Sequence, residues 1–447
     1  MTSNSISKTE SLWSNSCALP SFSSLQSDTK TDVLIIGGGI AGILCAYLLE
    51  QSGVNYLLAE ADRICSGVTQ NTTAKITSQH GLFYHKLIQR FGMEKAALYL
   101  EANQNALRKY EELCSRMDCD FEHKDAFLYS RNDTAALDKE LNALHKLNFC
   151  AEFSNDLPLP FQTVGAVCFP KQAQFHPLKF IRAVSENLNI FEQTRVIEID
   201  GNTARTCHAK ITAEKIIVAT HFPFLNTHGS YFLKLYQQRS YVIAYKAAPD
   251  LDGMYIEDRK NGLSFRNHKD LLLIGGGGHR TGKSGGNWKE ISALASSFYP
   301  TSTEYCRWAT QDCMSLDGIP YIGNYSKNTP NLYVASGFNK WGMTSSLVAA
   351  MLLTDLITGK GNPYADVFSP SRSILRPQLA INASESSLNL IKPTVPRCPH
   401  MGCALKWNHH EHSWDCPCHG SRFDKEGELL NNPATGRLKR KNNSDAL

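Results

Sequence analysis

The sequence has little net charge and no long hydrophobic segment. Its 447 residues carry a formal net charge of +4, which is too small to indicate a nucleic-acid partner. The most apolar uncharged run, residues 33–49, contains three consecutive glycines and is shorter than the about 20 apolar residues of a membrane-spanning helix. Residues 1–32 are polar and lack the apolar core of a secretory signal. We therefore expect a cytoplasmic protein without a transmembrane segment.

Cysteine, by contrast, is abundant. Of the 14 cysteines, ten are scattered from Cys17 to Cys313 without regular spacing, as expected of ordinary buried or free thiols. The other four lie close together near the end of the chain, and they are Cys398, Cys403, Cys416 and Cys418. Without a secretory signal, such a group indicates a metal site before a framework of disulfides.

The amino-terminal part carries a glycine-rich motif between two strand-like segments. The apolar run 32–36 predicts a buried parallel strand. Residues 37–42 contain G-x-G-x-x-G, and residues 43–52 have the pattern of a helix. A second strand, predicted over 55–59, ends at Glu60. This order of elements is typical of dinucleotide binding.

Each part of this motif has a physical task. Gly37 permits a sharp turn, Gly39 lets the backbone approach a pyrophosphate, and Gly42 lets helix and strand pack closely. The amino terminus of the helix offers N–H groups to phosphates. Glu60, 23 residues after Gly37, can accept hydrogen bonds from ribose hydroxyls. We expect the dinucleotide to bind Gly37, Gly39, Ile40, Ala41, Gly42 and Glu60.

The motif does not distinguish FAD from NAD, but later segments do so by resemblance. The segment "EADRICSGVTQNTTAKITSQHG" (60–81) resembles FAD-dependent oxidoreductases of the D-amino-acid oxidase type. Further segments resemble that family in the same order, at 169–180, 190–200, 213–220, 307–323 and 332–359. The resemblance implies FAD contacts at Thr73, Ala74, Val196, Gly337, Gly342, Met343 and Thr344. An NAD-only Rossmann protein is the alternative, and it leaves the closing segments unexplained.

The resemblance also implies interleaved domains within residues 28–375. A Rossmann-like FAD-binding domain would collect about 28–80, 176–225 and 305–370, and a mixed α/β substrate domain about 81–175 and 226–304. The fold class expected is therefore α/β. The alternating sequences of residues 121–130 and 237–247 predict strands of the substrate domain.

Two boxes near the carboxyl end each pair a cysteine with a histidine. "CPHMGC" (398–403) and "CPCHGS" (416–421) stand with 15 residues between His400 and Cys416. Structural thiols with incidental histidines are one interpretation. Zinc is another, although six donors are too many for a tetrahedral site and the spacing differs from the usual one. A third is a Rieske [2Fe–2S] centre, in which two Cys hold one iron and two His the other.

Both boxes closely resemble those of the Rieske family. The resemblance implies Cys398 and Cys416 on one iron and His400 and His419 on the other. It places Cys403 and Cys418 in the disulfide that joins the two loops in many members. His409, His410 and His412, between the boxes, are expected to face solvent.

The implied Rieske domain, 391–447, is small and all-β. Rieske domains usually have several strands before the first box, but only residues 384–397 separate Cys398 from a polar linker predicted over 376–390. The domain is therefore abbreviated, and either the flavoprotein part covers its exposed face or the cluster is less shielded than usual.

Together, the two halves resemble bacterial FAD-dependent oxidoreductases with a carboxy-terminal Rieske domain. The resemblance implies oxidation of a small amine or amino acid, with electrons passed from reduced flavin through the cluster to an external acceptor. Two alternatives remain open. One is an electron-transfer protein without small-molecule oxidation, and the other is an O₂-reducing oxidase with a vestigial cluster.

The substrate site is the least specified part of the sequence. A carboxylate substrate would need an arginine clamp, for which Arg239, Arg266 and Arg280 are the candidates. Tyr241 and His279 could orient the donor, and Lys340 and Trp341 stand beside the predicted flavin turn. Each of these side chains could equally be a surface charge or a packed aromatic ring.

Overall fold

A mostly parallel sheet forms around the predicted strand 32–36. In the computed structural model, which describes residues 9–259, 261–393 and 396–438, this strand pairs in parallel with the strands Tyr56–Ala59 and Lys210–Val218. The strands of this first sheet are β1 (Thr29–Ile36), β2 (Tyr56–Ala59), β7 (Ile190–Phe191), β8 (Glu198–Asp200), β9 (Thr203–Arg205), β10 (Lys210–Val218), β16 (Tyr321–Asn324) and β17 (Leu332–Ser336). Their order is β16-β17-β10-β1-β2-β7, with β9 pairing to β10 and β8 to β9.

The structure contains a second sheet, which has nine strands. Its strands are β3 (Lys75–Ile76), β4 (Glu122–Ser130), β5 (Glu152–Ser154), β6 (Gly165–Gln174), β11 (Leu235–Lys246), β12 (Met254–Glu257), β13 (Ser264–His268), β14 (Leu271–Arg280) and β15 (Thr303–Ser315). The order is β15-β11-β14-β13-β12-β4-β6-β3, with β5 beside β6. Strand β15 is thus an edge strand of this sheet, although most of it falls in the segment 305–370 that we assigned to the FAD-binding part.

Helices cover both sheets. They are α1 (Leu12–Ser16), α2 (Ile40–Gln51), α3 (Tyr84–Cys114), α4 (Thr134–Lys146), α5 (Pro177–Ser185), α6 (Tyr231–Lys234), α7 (Trp288–Phe298), α8 (Gly342–Ile357), α9 (Ala365–Phe368) and α10 (Pro377–Ile391). Helix α2 packs against α8 and α5, and most residues of α2 and α8 are buried. This explains their nearly uniform apolar sequences. Within the described ranges, no helix has both the length and the apolarity needed to cross a bilayer.

The carboxy-terminal part is a small four-stranded antiparallel sheet. Its strands, in sheet order, are β18 (Lys406–Asn408), β19 (Ser413–Asp415), β20 (Arg422–Phe423) and β21 (Leu429–Asn431). Helix α10 precedes it in the segment predicted as a polar linker. The Nδ2 of Asn382 donates to the carbonyl of Leu233 at 3.0 Å, and the amide of Ala404 donates to the carbonyl of Asn389 at 2.9 Å. Helix α10 therefore joins the small sheet to the rest of the chain.

Candidate functional site

The glycine-rich turn has no room for β carbons at two of its positions. Gly37 has a φ of +110°, and a Cβ there would lie 2.7 Å from the carbonyl oxygen of Ala219. A Cβ on Gly42 would lie 1.9 Å from the carbonyl oxygen of Gly37. Helix α2 begins directly after Gly39 without a side-chain cap, so its amino terminus faces the space beside the turn.

Glu60 closes the second strand at the same edge of the sheet. Its Oε2 accepts a hydrogen bond from the amide of Gly38 at 2.5 Å, and its Oε1 accepts one from the amide of Asp62 at 2.8 Å. Burial raises the pKa of this carboxyl, against the effect of these two amides. The backbone therefore fixes the carboxylate beside the glycine turn, where it can receive ribose hydroxyls.

One large cavity, of about 730 Å³, runs from this turn to the second sheet. The residues predicted to contact FAD that line it are Gly37, Gly39, Ile40, Ala41, Glu60, Thr73, Val196, Gly342 and Met343. The other four support the lining. Gly42 packs on Gly37, Ala74 accepts a bond from Arg266, Gly337 turns with a φ of +73°, and Thr344 bonds the Thr77 carbonyl. An elongated cavity with a glycine cradle and a carboxylate at one end fits FAD.

The three arginines predicted to clamp a substrate carboxylate do not line the cavity, and each bonds to other parts of the chain. Arg239 pairs with Glu411 of the carboxy-terminal part. Arg266 is fully buried and donates to the carbonyls of Thr73 and Ala74. Arg280 donates to two carbonyls of the second metal box. The NH2 of Arg266 is buried without a hydrogen-bond partner among the described residues, so the arginine clamp stays a prediction.

The other predicted donor-binding residues divide between the cavity and its surroundings. Tyr241, Lys340 and Trp341 line the cavity, although the hydroxyl of Tyr241 donates to Glu411 Oε1 at 3.1 Å. The ring of His279 stacks on Tyr241 at 5.7 Å, and its Nδ1 lies 3.2 Å from the Gly277 carbonyl. His279 is not among the residues lining the cavity, and its role in orienting the donor stays a prediction.

The two metal boxes form a pair of facing loops. The amide of Gly402 donates to the carbonyl of Cys398 and the amide of Gly420 to that of Cys416, each at 2.9 Å. The rings of His400 and His419 lie 4.9 Å apart at 87°. The thiols of Cys398 and Cys416 hydrogen-bond to each other, which lowers the pKa of Cys398 to about 7 and raises that of Cys416. The two predicted cysteine ligands therefore lie together, and so do the two predicted histidine ligands.

Three of the four ring nitrogens of His400 and His419 have no hydrogen-bond partner among the described residues. Nδ1 of His400 and both ring nitrogens of His419 are buried without a hydrogen-bond partner among the described residues. Burial lowers the pKa of His400 to about 4 and that of His419 to about 3, so both rings are neutral, the form that binds metal. Two thiols and two neutral imidazoles fit the donor set of a Rieske cluster.

The two remaining cysteines are bonded to each other. Cys403 and Cys418 form the predicted disulfide, with Cα atoms 6.7 Å apart. Their sulfur atoms and that of Cys416 lie within 4.8 Å of one another, but disulfide sulfurs are not thiolate ligands. The disulfide thus joins the loops, while the ligand thiols stay free. His409, His410 and His412 are exposed, as predicted.

The carboxy-terminal part is docked on the outer face of strands β11 and β15. Arg239 and Gln311 are cross-strand partners there, and Gln237 lies two residues before Arg239. Glu411 receives Nε of Arg239 at 3.0 Å and NH2 of Arg422 at 2.9 Å. Burial would raise the pKa of Glu411, but the charges of these two arginines lower it to about 2. An ionised carboxylate therefore holds the two parts of the chain together.

The opposite face of the same two strands lines the cavity. Ser240 and Thr310 are cross-strand partners, and with Asp312 they belong to the cavity wall. Side chains alternate between faces along a strand, so β11 and β15 separate the cavity from the metal boxes. The flavoprotein part thus covers the abbreviated domain, one of the two possibilities left open by the sequence.

Several residues of the site had no signal of their own in the sequence. Residues 429–432, 434 and 435 of the small domain complete the cavity wall. Asn432 Nδ2 donates to the carbonyl of Phe222 at 2.8 Å and to that of Thr220. His221 lines the cavity with a φ of +67°, and its Nε2 is buried without a partner among the described residues. The one sequence signal was the run of four polar residues at 237–240 in β11, which is unusual for a strand covered on both faces.

Comparisons with known proteins agree with both halves of this description. Residues 32–356 match the family "FAD dependent oxidoreductase", and residues 376–441 match the "Rieske [2Fe-2S] domain". The chain is 37% identical over 495 residues to the Rieske 2Fe-2S iron-sulfur protein YhfW of Bacillus subtilis (strain 168), covering 96% of this chain and 97% of that protein.

Solved structures show the same fold over the first part. Glycine oxidase from Geobacillus kaustophilus superposes with a TM-score of 0.66 at 19% identity, covering 77% of this chain and 99% of that one. L-amino acid deaminase from Proteus vulgaris gives a TM-score of 0.63 at 14% identity, covering 80% of this chain and 100% of that one. The predicted fold class is thereby confirmed, as are the FAD and Rieske cofactors by the family matches. The chain belongs to the FAD-dependent oxidoreductases of the D-amino-acid oxidase type and carries a carboxy-terminal Rieske [2Fe–2S] domain.

Proposed function

We propose that the protein oxidises a small amine or amino acid in the cavity and passes the electrons singly to an external acceptor. The observation that carries this proposal is the shared pair of strands β11 and β15. One face of these strands lines the cavity and the other receives the second metal box. When bound, FAD supplies a two-electron acceptor and the Rieske cluster a one-electron carrier with a potential of about −150 to +300 mV.

FAD would be held by the glycine turn, by Glu60 and by the closing segment before α8. Gly37 and Gly39 would admit the pyrophosphate and Glu60 would receive the ribose hydroxyls. The family resemblance assigns the adenine to the backbone at Val196, which lines the cavity. Thr73 and Met343 line the same cavity farther along the chain. Among the metal boxes, Cys398 and Cys416 hold one iron and His400 and His419 the other. The neutral imidazoles and the paired thiols described above support this assignment.

Charged groups in the cavity wall match a zwitterionic donor. Asp312 lines the cavity, and burial raises its pKa while the charges of Lys340 and Arg239 act against that rise. Lys340 lines the same cavity beside Trp341. We assign the ammonium of the donor to Asp312 and a donor carboxylate to Lys340, because each group then meets a charge of opposite sign.

The proposal is tested by anaerobic mixing of the purified holoprotein with a panel of amines and amino acids. At least one donor should bleach the flavin absorbance. With that donor, Asp312→Asn should raise KM at least about tenfold, as expected for loss of one charged contact of about 1.4 kcal/mol. Lys86→Met is the matched control, since Lys86 also lines the cavity but receives no role here. Failure of every donor to bleach the flavin would contradict the proposal.

The relay is tested separately with the same donor. His419→Ala should abolish turnover with a one-electron acceptor while leaving anaerobic flavin bleaching intact. If turnover is unchanged, the protein is an oxidase with a vestigial cluster. If only NAD(P)H bleaches the flavin of the wild type, the protein transfers electrons without oxidising an amine.

A further inference from the structure

Every carbonyl from residue 417 to residue 420, in the second metal box, receives a hydrogen bond from the oxidoreductase part. Arg280 donates through Nε to the carbonyl of Pro417 at 3.2 Å and through NH2 to that of Cys418 at 3.0 Å. The Nε2 of Gln237 donates to the carbonyl of His419 at 2.8 Å. The Nε2 of Gln311 donates to that of Gly420 at 2.8 Å. The loop therefore has its outer carbonyls fixed by three side chains that lie more than 100 residues earlier in the chain.

These three side chains are themselves held in place. The NH1 of Arg280 donates to Oδ1 of Asn382 at 2.9 Å, and its guanidinium lies 5.0 Å from the ring centre of Tyr236. Gln311 Nε2 also donates to Oε1 of Gln237 at 2.7 Å, and both glutamines are almost completely buried. The donors are thus preorganised.

The backbone of the second metal box and that of the oxidoreductase part approach so closely that each needs a glycine at the contact. A Cβ on Gly282 would lie 2.6 Å from the amide nitrogen of Pro417. A Cβ on Gly420 would lie 2.6 Å from Cβ of Gln237. Such contacts indicate a built and permanent interface instead of a loose encounter between two domains.

The peptide groups bonded by Arg280 are the ones that face a ligand sulfur. The amide N–H groups of Cys418 and His419 contact the Sγ of Cys416. The carbonyls of these two peptide groups belong to Pro417 and Cys418. A donor on the carbonyl polarises a peptide and strengthens its N–H as a hydrogen-bond donor. The guanidinium therefore acts on the sulfur through two peptides at once.

We propose that Arg280 is a positioning residue that sets the reduction potential of the Rieske cluster, with Gln237 and Gln311 fixing the same loop. This inference goes beyond the proposed function because it concerns the cluster and does not depend on the donor. Reduction adds a negative charge at the site. A fixed cation beside the loop and stronger N–H groups facing the sulfur both favour the reduced form. Arg280 therefore raises the potential.

The test is an equilibrium redox titration of the holoprotein with mediators, followed by the EPR signal of the reduced cluster. Arg280→Met retains much of the side-chain volume but removes the charge and both hydrogen bonds. We expect the equilibrium constant for reduction to fall about tenfold, which is about 59 mV for one electron, with iron content unchanged. Gln311→Met, which removes neutral hydrogen bonds only, should give a smaller decrease.

Arg239→Met is the matched control, because Arg239 is a buried cation in the same interface that bonds Glu411 and not the loop. Its cluster should titrate at the wild-type potential. An unchanged potential in Arg280→Met, or an equal decrease in Arg239→Met, would overturn the proposal. If Arg280→Met contains no iron, Arg280→Lys is measured instead, because it keeps the positive charge. An Arg280→Lys protein that binds iron and titrates near the wild-type potential supports the proposal. Loss of iron from Arg280→Lys and Arg239→Met alike would overturn it, since the arginines would then serve only docking.

Discussion

Glu411 is the residue through which the Rieske domain is most strongly anchored, and Glu411→Gln should weaken that anchoring. The pKa of its carboxyl is lowered from 4.5 to about 2, which corresponds to about 3 kcal/mol of stabilisation. The side chain is only 9% exposed, so solvent screens this interaction little. We expect the variant to lose about 3 kcal/mol of the free energy of unfolding at pH 7, because Arg239 then remains buried without its counter-charge.

The sign of the pH dependence follows from the lowered pKa. A carboxyl that is more acidic in the folded protein stabilises it fully above the unfolded value of about 4.5. The stabilisation decreases as pH falls through that value and is lost below about 2. The difference in stability between wild type and Glu411→Gln should therefore be constant at neutral pH, from about pH 6 to about pH 8. It should shrink below about pH 4.5.

The assay is urea unfolding followed by circular dichroism and flavin fluorescence, in a double-mutant cycle with Arg239→Met. The two substitutions should be non-additive by about 2 kcal/mol, since both remove the same contact. Glu426→Gln is the control, because Glu426 is exposed and should change stability by less than about 0.5 kcal/mol. Additive effects of Glu411→Gln and Arg239→Met would refute the reasoning.

Three further predictions follow from local geometry. Gly42→Ala should purify without FAD, as measured by flavin absorbance, because its Cβ would lie 1.9 Å from the carbonyl oxygen of Gly37. Gly361→Ala, whose Cβ would have nothing within 4 Å and which does not line the cavity, should keep FAD. Cys416→Ser should lose the cluster, measured as iron and EPR signal, while retaining FAD; a Rieske signal in this variant would exclude Cys416 as a ligand. Cys403→Ser should lower the urea midpoint by an amount equivalent to about 2–5 kcal/mol, and an unchanged midpoint would contradict a structural role for the disulfide.

The sequence predicted those parts of the site that depend on local spacing. Gly37, Gly42 and Glu60 are within one βαβ unit, whose geometry is set by short-range sterics. The boxes around Cys398 and Cys416 are likewise short, and the family resemblance supplied the ligand set and the Cys403–Cys418 disulfide. These features could be predicted because few long-range contacts determine them.

The contacts between distant segments could not be predicted in the same way. Arg239 and Glu411 are separated by 172 positions, and no periodicity relates them. An arginine on a strand satisfies a substrate carboxylate and a glutamate equally well, so the sequence could not decide between them for Arg239. Family resemblance placed most of β15 in the FAD-binding part, whereas the strand pairs with β11 in the second sheet. The sequence pattern of a strand does not specify which sheet it joins.

The most direct test of the electron relay combines rapid anaerobic mixing with freeze-quench EPR. The wild-type holoprotein is mixed with the donor that bleaches its flavin, and the cluster is monitored during the first turnover. If electrons pass from the flavin to the cluster, a Rieske EPR signal should develop together with flavin bleaching. The flavin of His419→Ala should bleach without that signal. Complete bleaching of the wild-type flavin with a cluster that stays oxidised would contradict the electron relay.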